Sequence, residues 1–258
     1  MQTIAVVAQK GGVGKTSTAH AIGAGLARFK GCKVLFVDTD AQGNLSRTLE
    51  ADTQQAGDVL DVMTGRLSAG EAIQHTAHGD IIAASAALSG ADREAALNKV
   101  GREYRLKKAL ESIAAAYDYC IIDTPPALST LTVNALTAAS SVLIPAQADV
   151  YSLEALSSLR ETIETVQAYC NPALKVEGIL LTRYNGRAIL SRDVAEMMTK
   201  EAEALHTQVY STQIRECTAV KEAQAMREDI FSYSPRCNAS KDYKAIIDAI
   251  TAGEGKQA

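Results

Sequence analysis

Gln9-Lys10-Gly11-Gly12-Val13-Gly14-Lys15-Thr16-Ser17 is the stretch on which the reading of this chain turns. Ahead of it runs Ile4-Ala5-Val6-Val7-Ala8, an unbroken apolar segment with the character of a parallel strand buried on both faces. Behind it, an alanine-rich segment from about Thr16 to Phe29 places Ile22, Leu26 and Phe29 at helical spacing. Strand, glycine-rich loop and helix in that order make a cradle for phosphate. Gly11, Gly12 and Gly14 let the backbone turn sharply and bring its N–H groups against phosphate oxygens. The start of the helix adds partial positive charge. Lys15 is placed for the β- and γ-phosphates of a nucleotide and the Thr16 hydroxyl for Mg²⁺. The nucleotide-binding candidates are therefore Lys10, Gly11, Gly12, Val13, Gly14, Lys15, Thr16 and Ser17.

Working outward, Lys33 to Val37 reads as a second strand after a helix stop at Gly31, and it ends in Asp38-Thr39-Asp40. Two carboxylates then stand at the carboxyl end of a strand, where open α/β sheets bind ligands. Residues 52 to 79 read as a polar surface excursion with helices near Val59–Met63 and Ala69–His75, followed by a short strand from Asp80 to Ala84. Residues 91 to 116 carry a helical stripe through Leu106, Leu110 and Ile113. Tyr119 to Asp123 is a strand stopped by Pro125 and Pro126. Further strands are expected at 142–145, 176–181 and 209–214, with helices at 152–169, 188–205, 219–227 and 240–250. This alternation predicts one domain over residues 1–252, an α/β fold with a doubly wound, mostly parallel sheet flanked by helices, and a fraying tail at 253–258.

Composition narrows the classes. A formal charge of −4 gives no bulk attraction to nucleic acid, so any such contact needs a local patch. The five cysteines have no C-x-x-C spacing and read as small buried residues of a reducing cytoplasm. The apolar start runs straight into the loop, so no secretory leader is expected, and no run reaches membrane-spanning length. His75 and His78 have no companion acids or cysteines at metal-site spacing.

The loop departs from the standard phosphate-loop pattern at Gln9, where glycine is usual, and carries a second lysine at Lys10. Lys10-Gly11-Gly12-Val13-Gly14-Lys15-Thr16-Ser17 resembles the deviant Walker A box of the ParA/MinD ATPases. That resemblance implies a P-loop fold, ATP or ADP with Mg²⁺ as cofactors, and a nucleotide-sandwich homodimer in which Lys10 reaches the partner's phosphates. It assigns catalysis to Lys10, Lys15 and Asp40, with Asp40 orienting the attacking water. Metal binding falls to Thr16, to Asp123 as the Walker B acid, and to Asp38 in the outer shell. From the residues alone, either Asp38 or Asp40 could instead cap the turn that follows.

The likeness continues through Asp38 to Asn44, Leu180 to Arg187 and Ser234 to Tyr243, and is nearest to the short, Soj-like partitioning members. It implies nonspecific DNA binding in the ATP state, release when a ParB-like centromere-binding protein stimulates hydrolysis, and a cytoplasmic, nucleoid-associated protein without stable membrane association. The DNA candidates are Arg187, Arg183, Arg192, Arg215 and Lys221. At Ala219 an arginine that partitioning members use for DNA is missing, and Glu216 adds opposing charge. The alternative is a MinD-like membrane-positioning ATPase, which needs an amphipathic basic C-terminal helix; Tyr243, Ile246, Ile247 and Ile250 supply an apolar face, but only Lys241 and Lys244 supply bases, with acids alongside. A third reading, a reductase with a dimer-bridging iron–sulfur cluster, is disfavoured by the position of Cys120 inside a strand.

Overall fold

A computed structural model describes residues 1–54, 57–93, 100–185 and 189–253. The elements, in chain order, are β1 (Gln2–Val6), α1 (Lys15–Lys30), β2 (Val34–Asp38), α2 (Asn44–Thr48), α3 (Val59–Thr64), α4 (Ala69–Ala72), β3 (Ile73–Thr76) and β4 (Gly79–Ile82). There follow α5 (Arg105–Glu111), β5 (Tyr119–Asp123), α6 (Thr130–Ala138), β6 (Ser141–Ala146), α7 (Val150–Tyr169) and β7 (Lys175–Leu181), then α8 (Ile189–Ala204), α9 (Thr218–Met226), α10 (Ile230–Tyr233) and α11 (Asn238–Ala252).

The strands form one sheet in the order β3-β4-β2-β5-β1-β6-β7, and every pair is parallel except β3 with β4. Successive side chains of a strand point to opposite faces. Ala5 and Val7 therefore join one apolar layer with α3, α5, α6, α7 and α8, while Ile4 and Val6 join the other with α1, α9, α10 and α11. Both layers are sealed, which explains why the strands read as continuous apolar runs. β1 is an interior strand, flanked by β5 and β6. The loops that leave these strands consequently converge on the start of α1. Close packing of α1 on α11 depends on Gly25, where a Cβ would lie 2.1 Å from Ile247.

Several expectations need correction. The helix expected through His75 ends at Ala72, and residues 73–76 turn back as an edge strand, which polar Gln74 and His75 suit. Nor is the 52–79 region a mere surface excursion, because Val59, Leu60, Val62 and Met63 are buried in the core. Of the stretch 91–116 expected to be helical, 94–99 lie outside the described residues; in the rest, 3-10 turns at Arg102–Tyr104 and Ala114–Ala116 flank a short α5, and Gly101 takes a left-handed φ of 80° before the first of them. Residues 209–214 form no strand; isolated bridges tie Val209 to Ile179 of β7 and the next residue, Arg215, to Tyr184 at the exit of β7. Helix α6 was not expected from the sequence. The cysteines are also less uniform than expected, for Cys120 is buried while Cys32, Cys170, Cys217 and Cys237 are partly exposed.

Candidate nucleotide site

A cavity of about 990 Å³ opens at the carboxyl ends of the central strands. Its floor is the loop between β1 and α1. Gly12 and Gly14 adopt φ of 76° and 87°, which a side chain would oppose, and a Cβ on either would stand in open space inside the cradle. Val13 is buried and its carbonyl accepts the Thr182 hydroxyl at 2.7 Å. Gln147 Nε2 donates to the Gly12 carbonyl at 3.3 Å. The loops after β6 and β7 thus brace the cradle from behind. On the other side, Gln224 Nε2 donates to the Ser17 hydroxyl at 2.9 Å and ties α9 to α1.

Lys15 lines the cavity with only 8% of its surface exposed. Burial lowers its pKa, and the carboxylates of Asp123 and Asp40 oppose that shift. Thr16 Oγ1 donates to Asp123 Oδ2 at 2.7 Å. Asp123 Oδ1 is buried without a hydrogen-bond partner. Burial and the neighbouring Asp38 charge push the Asp123 carboxyl well up, against the Thr16 bond and the Lys15 charge. A hydroxyl beside a buried, half-satisfied carboxylate fits a hard divalent ion that keeps several waters, so Thr16 and Asp123 are the residues that would hold Mg²⁺.

Asp38 and Asp40 divide the remaining work. Asp38 is fully buried; its Oδ1 accepts the Asp40 N–H at 3.0 Å, and its Oδ2 accepts the Ser46 N–H at 2.9 Å and the Ser46 hydroxyl at 2.8 Å. It clasps the turn from residue 39 to 46. Burial pushes its carboxyl up to about 6, against those same bonds. Asp40, by contrast, lines the cavity, and its Oδ1 accepts the Gln42 N–H at 2.9 Å. Of the two, Asp40 faces the cavity and Asp38 shapes the loop that carries it.

Lys10 lies elsewhere. It does not line the cavity; its Nζ donates to Asp149 Oδ2 at 2.5 Å and to Gln147 Oε1 at 3.3 Å, and it stands 5.9 Å from the centre of the Tyr151 ring. Asp149 is the N-cap of α7 and accepts the Ser152 N–H at 2.8 Å. Burial raises the Asp149 pKa, yet the bonds from Lys10 and Ser152 prevail and hold it below the ordinary value. Val150 and Tyr151 beside it are 50% and 73% exposed.

Three of the DNA candidates, Arg183, Arg215 and Lys221, line the nucleotide cavity together. Arg183 pairs with Glu216 at 3.0 Å, which gives the opposing charge noted in the sequence a concrete role. Arg215 forks onto the buried Asp242, with Nη2 at 2.6 Å and Nε at 3.0 Å. Lys221 lines the nucleotide cavity, as do Arg47 and Arg227, which the sequence reading did not single out. Arg187 lies outside the described residues, as does the side chain of Arg192 on α8. Gln147, Asp149, Thr182 and Gln224 were also missed. Their signal is weak because each acts from a loop or helix distant in sequence from the box it serves.

The model of an AAA domain matches residues 1–176. The sporulation initiation inhibitor protein Soj of Bacillus subtilis is 40% identical over 254 residues, covering 96% of this chain and 98% of its own length. The chromosome partitioning protein ParA of Caulobacter vibrioides is 38% identical over 260 residues, covering 98% and 95%. The chain belongs to the ParA/MinD family of ATPases. Among solved structures, a cobyrinic acid a,c-diamide synthase from Mycobacterium smegmatis with a bound ATP analogue and magnesium superimposes with a TM-score of 0.86 at 33% identity, covering 98% of this chain and 95% of that one.

For a ParA/MinD ATPase, the described residues argue against the MinD-like reading of α11. Tyr243, Ile246, Ile247 and Ile250 are buried against α1 and the sheet, leaving no free apolar face for a lipid surface. No helix among the described residues is long and apolar enough to cross a membrane. No group of three or more metal-ligating His, Cys, Asp or Glu side chains occurs among them. Cys120 is sealed inside β5, with its thiol pushed up by burial, which disposes of it as a cluster ligand.

Proposed function

We propose that this chain is the ATP-driven switch of a DNA-partitioning apparatus. ATP occupies the cavity with its phosphates on the 11–16 loop. Mg²⁺, held by Thr16 and Asp123, supplies neutralising charge at the phosphate oxygens. Lys15 balances the β- and γ-phosphates from the floor. Asp40 orients a water in line with the γ-phosphorus, and attack breaks the bond to the bridging oxygen, leaving ADP and phosphate. Two copies close face to face, and Lys10 leaves Asp149 for the phosphates of the partner copy.

The placement of Lys10 carries this reading. An ammonium required only by its own nucleotide would line its own cavity, as Lys15 does. Lys10 is instead held outside that cavity by an acid of the same chain, on a face where Val150 and Tyr151 are exposed. The Soj and ParA relatives support the assignment to partitioning. In the ATP-bound dimer, Arg183, Arg187 and Arg192 contact DNA phosphates without regard to sequence, and a ParB-type partner triggers hydrolysis and release. The protein then works in the cytoplasm, on the nucleoid.

Sedimentation of the Asp40→Ala protein tests the switch. A dimer is expected with ATP, and a monomer with ADP or when Lys10→Ala is added. A protein that stays single with ATP at high concentration would refute the sandwich. Cosedimentation with random duplex tests the second half: binding should require ATP and weaken with salt by nearly one log–log unit per phosphate contact.

A further inference from the structure

The N–H groups of residues 14–17 donate to no other group among the described residues, so the end of the loop and the first turn of α1 hold a run of free donors at the cavity floor. Free donors must be aimed by something other than the bonds they make. The peptide joining Val13 to Gly14 is trans, so the Val13 carbonyl and the Gly14 N–H point to opposite sides of it. Whatever holds that carbonyl therefore aims that N–H. Val13 is buried, and among the described residues its carbonyl accepts from the Thr182 hydroxyl, at 2.7 Å, and from nothing else. A threonine hydroxyl has a single proton. The other acceptor within its reach, the Ala146 carbonyl, is farther at 3.2 Å and already takes the Thr182 N–H at 2.8 Å. The proton accordingly goes to Val13. Thr182 is itself held firmly: it is 2% exposed, and Arg183 beside it takes a left-handed φ of 49°, uncommon for a residue with a side chain, which turns the chain out of β7. Gln147 repeats the device more weakly one residue earlier, donating to the Gly12 carbonyl at 3.3 Å from a partly buried side chain.

We propose that Thr182 is a positioning residue for the nucleotide: by holding the Val13 carbonyl, its hydroxyl turns the 13–14 peptide so that the Gly14 N–H meets a phosphate oxygen. The bond also polarises the peptide, because a carbonyl that accepts a hydrogen bond leaves the N–H of the same unit a stronger donor. A donor fixed before the ligand arrives needs no ordering when it binds. Without the hydroxyl, the buried Val13 carbonyl has no partner and the 13–14 peptide rotates toward one. Gly12 and Gly14 flank Val13 and resist such rotation least. Thr182 thus acts on the phosphates through the backbone, whereas Lys15 acts on them by its own charge. The inference rests on the phosphates lying on the 11–16 loop, and on neither dimerisation nor DNA.

The test is calorimetric titration of Mg·ADP into the intact wild-type protein and into Thr182→Val, Thr182→Ser and Lys15→Ala, with amide NMR spectra of the nucleotide-free proteins alongside. Thr182→Val keeps the shape and removes the donor, and it should bind Mg·ADP about tenfold more weakly. Thr182→Ser restores the hydroxyl and should recover most of that loss. Without nucleotide, the Gly14 amide nitrogen resonance should move in Thr182→Val and return toward the wild-type position in Thr182→Ser. Lost packing would not give this pattern, since serine lacks the same methyl. Wild-type affinity in Thr182→Val, a Gly14 resonance that stays in place, or a loss in Thr182→Ser equal to that in Thr182→Val would each overturn the role of the hydroxyl. If Thr182→Val does not fold, Thr182→Ala, whose missing atoms open onto the cavity, takes its place with the same expectations. A wild-type protein that does not bind Mg·ADP would overturn the nucleotide reading and this inference together. Wild-type binding that Lys15→Ala abolishes and Thr182→Val leaves untouched would overturn this inference alone.

Discussion

The cavity floor and the cavity rim carry the same kinds of side chain and use them in opposite ways. On the floor, Lys15, Asp40 and Asp123 are sunk below the surface beside the half-buried Thr16, and their charges act on one another and on whatever fills the cavity. On the rim, Lys10, Arg183 and Arg215 each hold an acid of their own chain: Asp149, Glu216 and Asp242. A buried charge without a close partner is costly, and it persists where a ligand of opposite charge compensates it. A half-exposed ion pair contributes little and separates readily. The floor is thus committed to a ligand in advance, whereas the rim cations must be released before they can act on anything else.

The largest effect should come from breaking the floor. Lys15→Ala removes the buried cation of the cavity floor while leaving two carboxylates beside it, and nucleotide binding should fall below detection by titration calorimetry. Near-normal affinity would mean that the backbone N–H groups alone hold the phosphates. Next in size is Lys10→Ala. It should still bind ATP with close to parental affinity, because the side chain does not line its own cavity, yet lose dimerisation and, by analogy with charge supplied in trans to other phosphoryl transfers, on the order of a thousandfold in turnover. If ATP affinity falls as far as in Lys15→Ala, the contrast between floor and rim collapses. Asp40→Ala should follow, with turnover reduced about a hundredfold or more while the ATP dimer persists. Phosphate release at high protein concentration measures both, and parental turnover would remove Asp40 from the chemistry.

How much of this was legible in the sequence follows from where the signals lie. The cradle, β1, β2, β5 and the floor residues are encoded locally, in unbroken apolar runs that stop at Gly or Asp. Residues 9–17 therefore sufficed for the cradle, and Asp123 needed only its own strand. The rim is assembled from loops far apart in the chain. Nothing within Gln147-Ala148-Asp149 announces that it receives Lys10, and nothing in Thr182 announces its bond to Val13. The failure at 73–76 has a different cause: an edge strand of mixed polarity shows neither helical nor strand periodicity, and its pairing with β4 decides its form. The expected strand at 209–214 failed because its apolar residues, Val209, Tyr210 and Ile214, pack into the two cores without a continuous ladder.

The smallest effect separates two rim arginines that the sequence treated as equals. Arg183 meets Glu216 with both side chains about half exposed, so the pair is screened and easily exchanged for a DNA phosphate. Arg215 is different: its partner Asp242 is buried and accepts the Arg215 N–H as well as both guanidinium contacts. A bidentate fork on a buried carboxylate is a structural pin, and removing the arginine leaves that carboxylate under-satisfied. Arg183→Ala should therefore leave the melting temperature unchanged and flatten the salt dependence of DNA binding by nearly one unit. Arg215→Ala should do the reverse, lowering the melting temperature by roughly a few degrees and leaving the salt slope alone. The two measurements exchange outcomes if DNA draws Arg215 off Asp242, and in that event the wall formed by residues 215–221 must move whenever the protein binds DNA.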